Sequence, residues 1–281
     1  MAHFTNQAQL TYNNTVTVSN LAVGEIQDVL SMSKTAVNGV YTSSDTVTYA
    51  VNIINSGSQD LTGLTLTDNL GAYVFNSATL VPLTYSQGSV KYFRNNVLQA
   101  PPTVNVTADG LVITNFTVPA NGSVTFLYET ETNEYTPLEP NSTITNTAEL
   151  TGNLTAVTAS ETIDVSAQPE LSILKSISPI PVMENGTVTY TFVIENTGNM
   201  PVESGAVITD VFNPIISNIT ASFNGTPWTE GTDFTYDLTT GLFTTSQDKV
   251  TVGAAQYSQD DITGEIGITP GTSTLVITGT I

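Results

Sequence analysis

The chain has no cysteine, one histidine and five basic residues among its 281. The lack of cysteine excludes disulfides, thiolate catalysis, zinc–cysteine sites and iron–sulfur clusters. The lone histidine, His3, argues against a Ser-His-Asp triad or a multi-histidine metal site. Acidic residues number 25, giving a formal net charge of -20. Such a chain repels phosphate backbones and anionic lipid, so nucleic acid is not an expected partner. No apolar run approaches the ~18 residues of a membrane span, so no membrane insertion is expected. The opening MAHFTNQAQL has neither a basic n-region nor an apolar h-region, so either a signal was removed or export takes another route. No Gly-rich phosphate loop follows a strand and opens a helix. Acidic clusters such as Asp260-Asp261 lack calcium-loop spacing and read as solvated surface. Neither a cofactor nor a metal is expected.

What is present is a β-rich, repetitive pattern. The charged fraction is 11% and the hydrophobic fraction 40%, too apolar for a disordered acidic tail. Period-two alternation recurs, as in Thr46-Val47-Thr48-Tyr49-Ala50-Val51-Asn52-Ile53, and Asn121-Gly122 and Asn224-Gly225 mark turns. Two units repeat in order: LSMSKT at Leu30 with LSILKS at Leu171, and DTVTYAVNIINSG at Asp45 with GTVTYTFVIENTG at Gly186, both 141 residues apart. LTLTDNL around Asp68 matches AVITDVF around Asp210, and PANGSVTFLYET matches PGTSTLVITGTI. The expected fold is all-β, with two tandem Ig-like sandwiches.

The units are unequal. The first continues through Ile144-Thr145-Asn146-Thr147-Ala148-Glu149-Leu150-Thr151 and a further strand to about Val165, whereas the second reaches Ile281 without this hairpin. A copy of it opens the chain, at Phe4-Thr5-Asn6-Gln7-Ala8-Gln9-Leu10-Thr11, 140 residues before Ile144. The expected division is a donor hairpin over 1–23, a first domain over 24–166 and a second over 167–281. Phe4, Ala8 and Leu10 form the apolar face of the donor strand, and the second domain is completed by the N-terminal hairpin of a neighbouring subunit. The alternative cut makes 1–141 and 142–281 two complete domains.

The ordered motifs K-T/S, (D/G)TVTY…N(S/T)G, TD and TN-A-L resemble the Ig-like conserved repeat of bacterial surface proteins, also called domain of unknown function eleven. The resemblance covers nearly the whole chain twice and implies a structural module on cell surfaces.

Alternation also places polar residues on apolar faces. Lys34 shares a face with Leu30 and Met32, and Lys175 with Leu171 and Ile173. Asp68 and Asp210 follow Leu66 and Ile208, and Asn146 and Asn6 share faces with Ala148, Leu150, Ala8 and Leu10. Burial lowers a lysine pKa, and a neutral amine beside a carboxamide carbon is a nucleophile in place. The order Lys, Asp, Asn resembles the collagen-adhesin-type isopeptide pattern of Gram-positive adhesins and pilins. That resemblance implies Lys34–Asn146 within the chain, Lys175–Asn6 between subunits, and Asp68 and Asp210 as acid/base groups. A plain buried ion pair with a hydrogen-bonded asparagine, or lysines that snorkel to solvent, fits the same pattern.

The resulting expectation is a structural subunit of an extracellular bacterial fibre, a pilus or spore appendage, whose partner is itself in a head-to-tail homopolymer. A monomeric adhesin or stalk module is the alternative. No enzyme activity is expected beyond self-crosslinking.

Overall fold

The computed structural model describes residues 2–26, 29–107, 110–152 and 156–281. Met1 of the expected donor hairpin and Gln27–Asp28 of the expected first domain lie outside the described residues. Among those residues every regular element is a strand, and no helix is long and apolar enough to cross a membrane.

Two Ig-like sandwiches are built on one plan. Each is anchored by a ten-residue strand, Thr46–Asn55 or Thr187–Asn196, with the same alternating burial. Val47, Tyr49, Val51 and Ile53 enter the first core, and Val188, Tyr190, Phe192 and Ile194 the second. The intervening threonines face outward, as the two-residue strand period requires. Both strands end in a buried asparagine, which explains the N(S/T)G motif. Asn55 Nδ2 donates to the carbonyls of Gln59 (2.8 Å) and Pro119 (3.1 Å), and its Oδ1 accepts from Gly57 N at 2.9 Å. Asn196 repeats this with Met200 O (2.8 Å), Gly253 O (2.9 Å) and Gly198 N (3.0 Å). Each carboxamide fastens its strand end to the backbone of neighbouring loops.

The first sheet is equivalent in the two domains. In domain 1 the strand order is Val97–Gln99, Lys91–Arg94, Gly122–Thr132, Thr46–Asn55, Leu30–Ala36. In domain 2 it is Thr226–Trp228, Ser217–Phe223, Gly271–Thr280, Thr187–Asn196, Leu171–Ser178. The second sheet differs. Domain 1 runs Thr103–Thr107, Gly110–Thr114, Thr65–Asp68, Thr143–Thr151, Val157–Val165, Val40–Tyr41, whereas the corresponding sheet of domain 2 runs Phe234–Asp237, Leu242–Thr245, Thr209–Val211, with Val202–Ala206 and Val250–Val252 paired separately. Among the described residues, Thr209–Val211 pairs on one side only, whereas Thr65–Asp68 of domain 1 pairs with both Gly110–Thr114 and Thr143–Thr151. Thr143–Thr151 is hydrogen-bonded to Thr65–Asp68, and we describe it with the first sandwich.

Among the described residues the N-terminal segment is a hairpin whose strands pair only with one another. Ala2–Asn6 pairs with Ala22–Ile26, and Gln9–Tyr12 with Thr15–Val18. Its pairing extends to Ile26, past the expected boundary at 23. Ala8 falls in a break between the two paired sections, where its carbonyl accepts from Ser19 N at 2.9 Å. Phe4 lies across Gly24, which has no Cβ to obstruct the ring.

The two domains touch through a hairpin of domain 2, Gln256–Gln259 with Ile266–Thr269. Ile266 N donates to Glu134 O (2.7 Å), Gln259 Nε2 to the Tyr73 hydroxyl (2.9 Å) and Asn199 Nδ2 to Leu138 O (3.2 Å).

Candidate functional site

In domain 1 the sandwich faces bring Lys34, Asp68 and Asn146 together. Lys34 comes from one sheet, and Asp68 and Asn146 from adjacent strands of the other. All three are buried. Lys34 Nζ donates to Asp68 Oδ2, as does the Tyr128 hydroxyl, while Leu70 N donates to Oδ1 at 3.0 Å. The Lys34 ammonium lies 4.8 Å from the Tyr49 ring centre and 5.8 Å from that of Tyr128. Burial holds its pKa down to about 8, against the opposing pull of the Asp68 charge. Burial pushes the Tyr49 and Tyr128 phenols well above their ordinary value, so both stay protonated.

Asn146 is polarised and incompletely satisfied. Its Oδ1 accepts from Gly71 N at 3.3 Å, which draws electron density from Cγ. It lies near both phenols, yet among the described residues no hydrogen bond of normal geometry satisfies its Nδ2 or the Tyr49 hydroxyl. An unpartnered buried amide costs on the order of 1–3 kcal/mol. Nδ2 is also the atom that attack by an amine at Cγ would expel as ammonia.

Domain 2 holds two of the three parts. Lys175 Nζ donates to Asp210 Oδ2, and lies 4.8 Å from the Tyr190 ring centre and 5.3 Å from that of Phe212. This pair is open to solvent, the Lys175 side chain being 40% exposed where that of Lys34 is fully covered. The whole strand Leu171–Ser178 is exposed, with Ile173 at 56%. Its counterpart Leu30–Ala36 is covered by Val157–Val165. Phe4, Asn6, Ala8 and Leu10 are all exposed on the hairpin.

Tyr49 and Tyr128 escaped the sequence reading. Tyr49 was visible in the repeated TVTY, which places Tyr190 at the same position. Tyr128 becomes evident only from its cross-strand register opposite Tyr49.

No protein-family model matches the chain, and no curated protein matches it. The resemblance to the Ig-like surface repeat therefore rests on its own residues. Solved structures similar to the chain include the C-terminal domain of the Streptococcus agalactiae AgI/II polypeptide BspA, at 11% identity over 89% of this chain and 91% of that one, TM-score 0.34. Another is BcpA, the major pilin subunit of Bacillus cereus, at 12% identity over 96% and 73%, TM-score 0.36. A third is the pilus backbone RrgB of Streptococcus pneumoniae, at 12% identity over 86% and 55%, TM-score 0.34. At these values no role of those proteins passes to this chain.

Proposed function

We propose that the protein is a structural subunit of an extracellular bacterial fibre, a pilus or spore appendage, built head to tail by strand donation. The observation that carries this reading is a match between a vacancy and a spare part. Domain 2 has an unpaired sheet edge where domain 1 has its last hairpin, and a hairpin of the same sequence pattern lies exposed at the N-terminus. An open edge with an apolar floor recruits a strand, main-chain hydrogen bonds supplying affinity and side-chain pockets fixing register. Leu10, Val16 and Val23 are more than half exposed, as are Ile173 and Leu174 in Leu171–Ser178. Burying each such side chain contributes on the order of 1.5–3 kcal/mol. A contact made by different surfaces of the two partners, and which does not close on itself, propagates as a filament.

Within domain 1 the cluster supports a Lys34–Asn146 amide bond with Asp68 as the proton carrier. Such a bond would hold the first strand to the penultimate one and keep the domain intact under tension.

Deleting residues 2–26 tests the assembly. The truncated chain is expected to stay monomeric in electron micrographs and sedimentation, and to bind a synthetic peptide of residues 2–26. Fibres from the truncated chain would show that another segment fills the edge. A full-length chain that remains monomeric at every concentration would favour a stalk or adhesin module.

A further inference from the structure

Resting on the strand-donation reading, we propose that Lys175 and Asp210 are the acceptor half of an amide bond made between subunits, with Asn6 of a second copy as the donor half. The intermolecular site is the domain 1 site with one strand supplied in trans.

Register carries the argument. In domain 1, Ala148 stands opposite Asp68 and Leu150 opposite Leu66. Asn146, two residues before Ala148, falls on the same face beside the Lys34–Asp68 pair. Asp210 and Ile208 occupy the positions of Asp68 and Leu66 in the repeat. A donor strand in the same register sets Leu10 opposite Ile208 and Ala8 opposite Asp210, and brings Asn6 to Lys175 with Phe4 behind it. Leu10 pairs with Thr17 as Leu150 pairs with Val157, the same spacing across the turn. Phe4 pairs with Gly24 where Ile144 pairs with Ile163, so the returning arm carries one extra residue. The donor strand itself keeps the domain 1 spacing.

Chemistry and access agree. Lys175 stands 4.8 Å from the Tyr190 ring centre, the distance of Lys34 from Tyr49. Its ion pair with Asp210 is already formed but still in contact with solvent, so a carboxamide arriving from outside can reach it. Docking of the hairpin removes water, which disfavours the charged pair. Lys175 then passes a proton to Asp210, and the neutral amine adds to Cγ of Asn6. The new C–N bond forms, the Cγ–Nδ2 bond breaks, and Nδ2 leaves as ammonia with a second proton drawn from the lysine nitrogen. Asp210 ends with the proton it first took. No oxidant or cofactor enters, and each bond removes about 17 Da, the mass of ammonia. Tyr190 faces Ile277 where Tyr49 faces Tyr128, so Asp210 has no phenol donor corresponding to Tyr128. The subunit bond therefore forms more slowly than the internal one.

The test uses the purified full-length chain, assembled, imaged, then boiled in SDS. The expected result is a ladder of covalent multimers, with a digest peptide joining the Asn6 and Lys175 segments about 17 Da below the sum of its parts. Asn6→Ala, at an exposed position that folding does not depend on, is expected to form fibres that boil to monomer, and Lys175→Arg likewise. Wild-type fibres that boil to monomer, or an Asn6→Ala ladder, would overturn the bond and leave strand donation standing. Absence of wild-type fibres would overturn both.

Discussion

Lys34 and Tyr128 donate to one and the same oxygen, Oδ2 of Asp68. With Leu70 N on Oδ1, both carboxylate oxygens are engaged, and in the proposed Lys34–Asn146 reaction this is the group that takes a proton from the amine. Tyr128 is thus a positioning residue rather than a reacting one. Tyr128→Phe retains the ring stacked 5.9 Å from Tyr49 but removes the donor. The expected outcome is a slower Lys34–Asn146 reaction with the same final product. Mass spectrometry at intervals after refolding checks it: wild type loses about 17 Da quickly, Tyr128→Phe slowly, and Lys34→Ala not at all. Unmodified wild-type mass would leave Lys34–Asp68 as a plain buried ion pair.

The depressed lysine pKa makes a second, thermodynamic prediction. In Asn146→Ala the lysine has no carboxamide to react with, so the unlinked pair can be titrated. A folded-state pKa of about 8, against an ordinary 10.5, means the unfolded chain binds more protons between those values. The penalty, about 3 kcal/mol, is complete below pH 8 and is relieved as pH rises toward 10.5. Guanidinium midpoints of Asn146→Ala should therefore rise across that window, relative to Asn146→Ala/Lys34→Met. Parallel profiles would mean that the lysine keeps its ordinary affinity for protons. In the reactive wild type, the rate of bond formation should climb with pH through about 8 for the same reason.

The repeat, the faces of its strands and the grouping of Lys34 with Asp68 and Asn146 were legible in the sequence because strand alternation is local and each motif occurs twice. The exposure of Leu171–Ser178 was legible only indirectly, from the hairpin that the first unit has and the second was expected to lack. The pairing of Ala22–Ile26 with Ala2–Asn6 was not, since Ala-Val-Gly-Glu-Ile alternates weakly. Nor was Tyr128, whose role depends on the register between two strands about 80 residues apart. The hydrogen bonds that make Asn55 and Asn196 strand-end staples run to backbone carbonyls, which leave no mark on side-chain pattern.

Those staples predict domain-specific stability. Asn196 Nδ2 and Oδ1 satisfy four backbone groups, the fourth being Glu170 N at 2.9 Å. Asn196→Ala leaves several of them unpartnered and is expected to cost about 2–4 kcal/mol. Trp228, the one tryptophan, stacks on Phe223 within domain 2 at 5.0 Å, so its fluorescence reports that domain's unfolding. Asn196→Ala should lower the fluorescence midpoint, and Asn55→Ala should move it far less. Equal shifts would mean that the two domains unfold as one unit.

The final prediction concerns charge. In the proposed fibre, chains of net charge -20 must repel one another as they approach. The hairpin itself carries no acidic residue before Glu25, so docking it desolvates little charge, and the opposition to assembly comes from the two domain bodies. Such repulsion is long-ranged and screened by salt, acting over about 30 Å at 0.01 M and about 8 Å at 0.15 M. The apolar and main-chain contacts of strand donation are short-ranged and hardly screened. Elongation followed by light scattering should therefore accelerate as sodium chloride is raised from 0.01 to 0.15 M, then level off. Assembly driven by opposite charges meeting across the junction would slow over the same range. That outcome would place ion pairs, rather than the exposed faces of Leu10 and Ile173, at the centre of the contact.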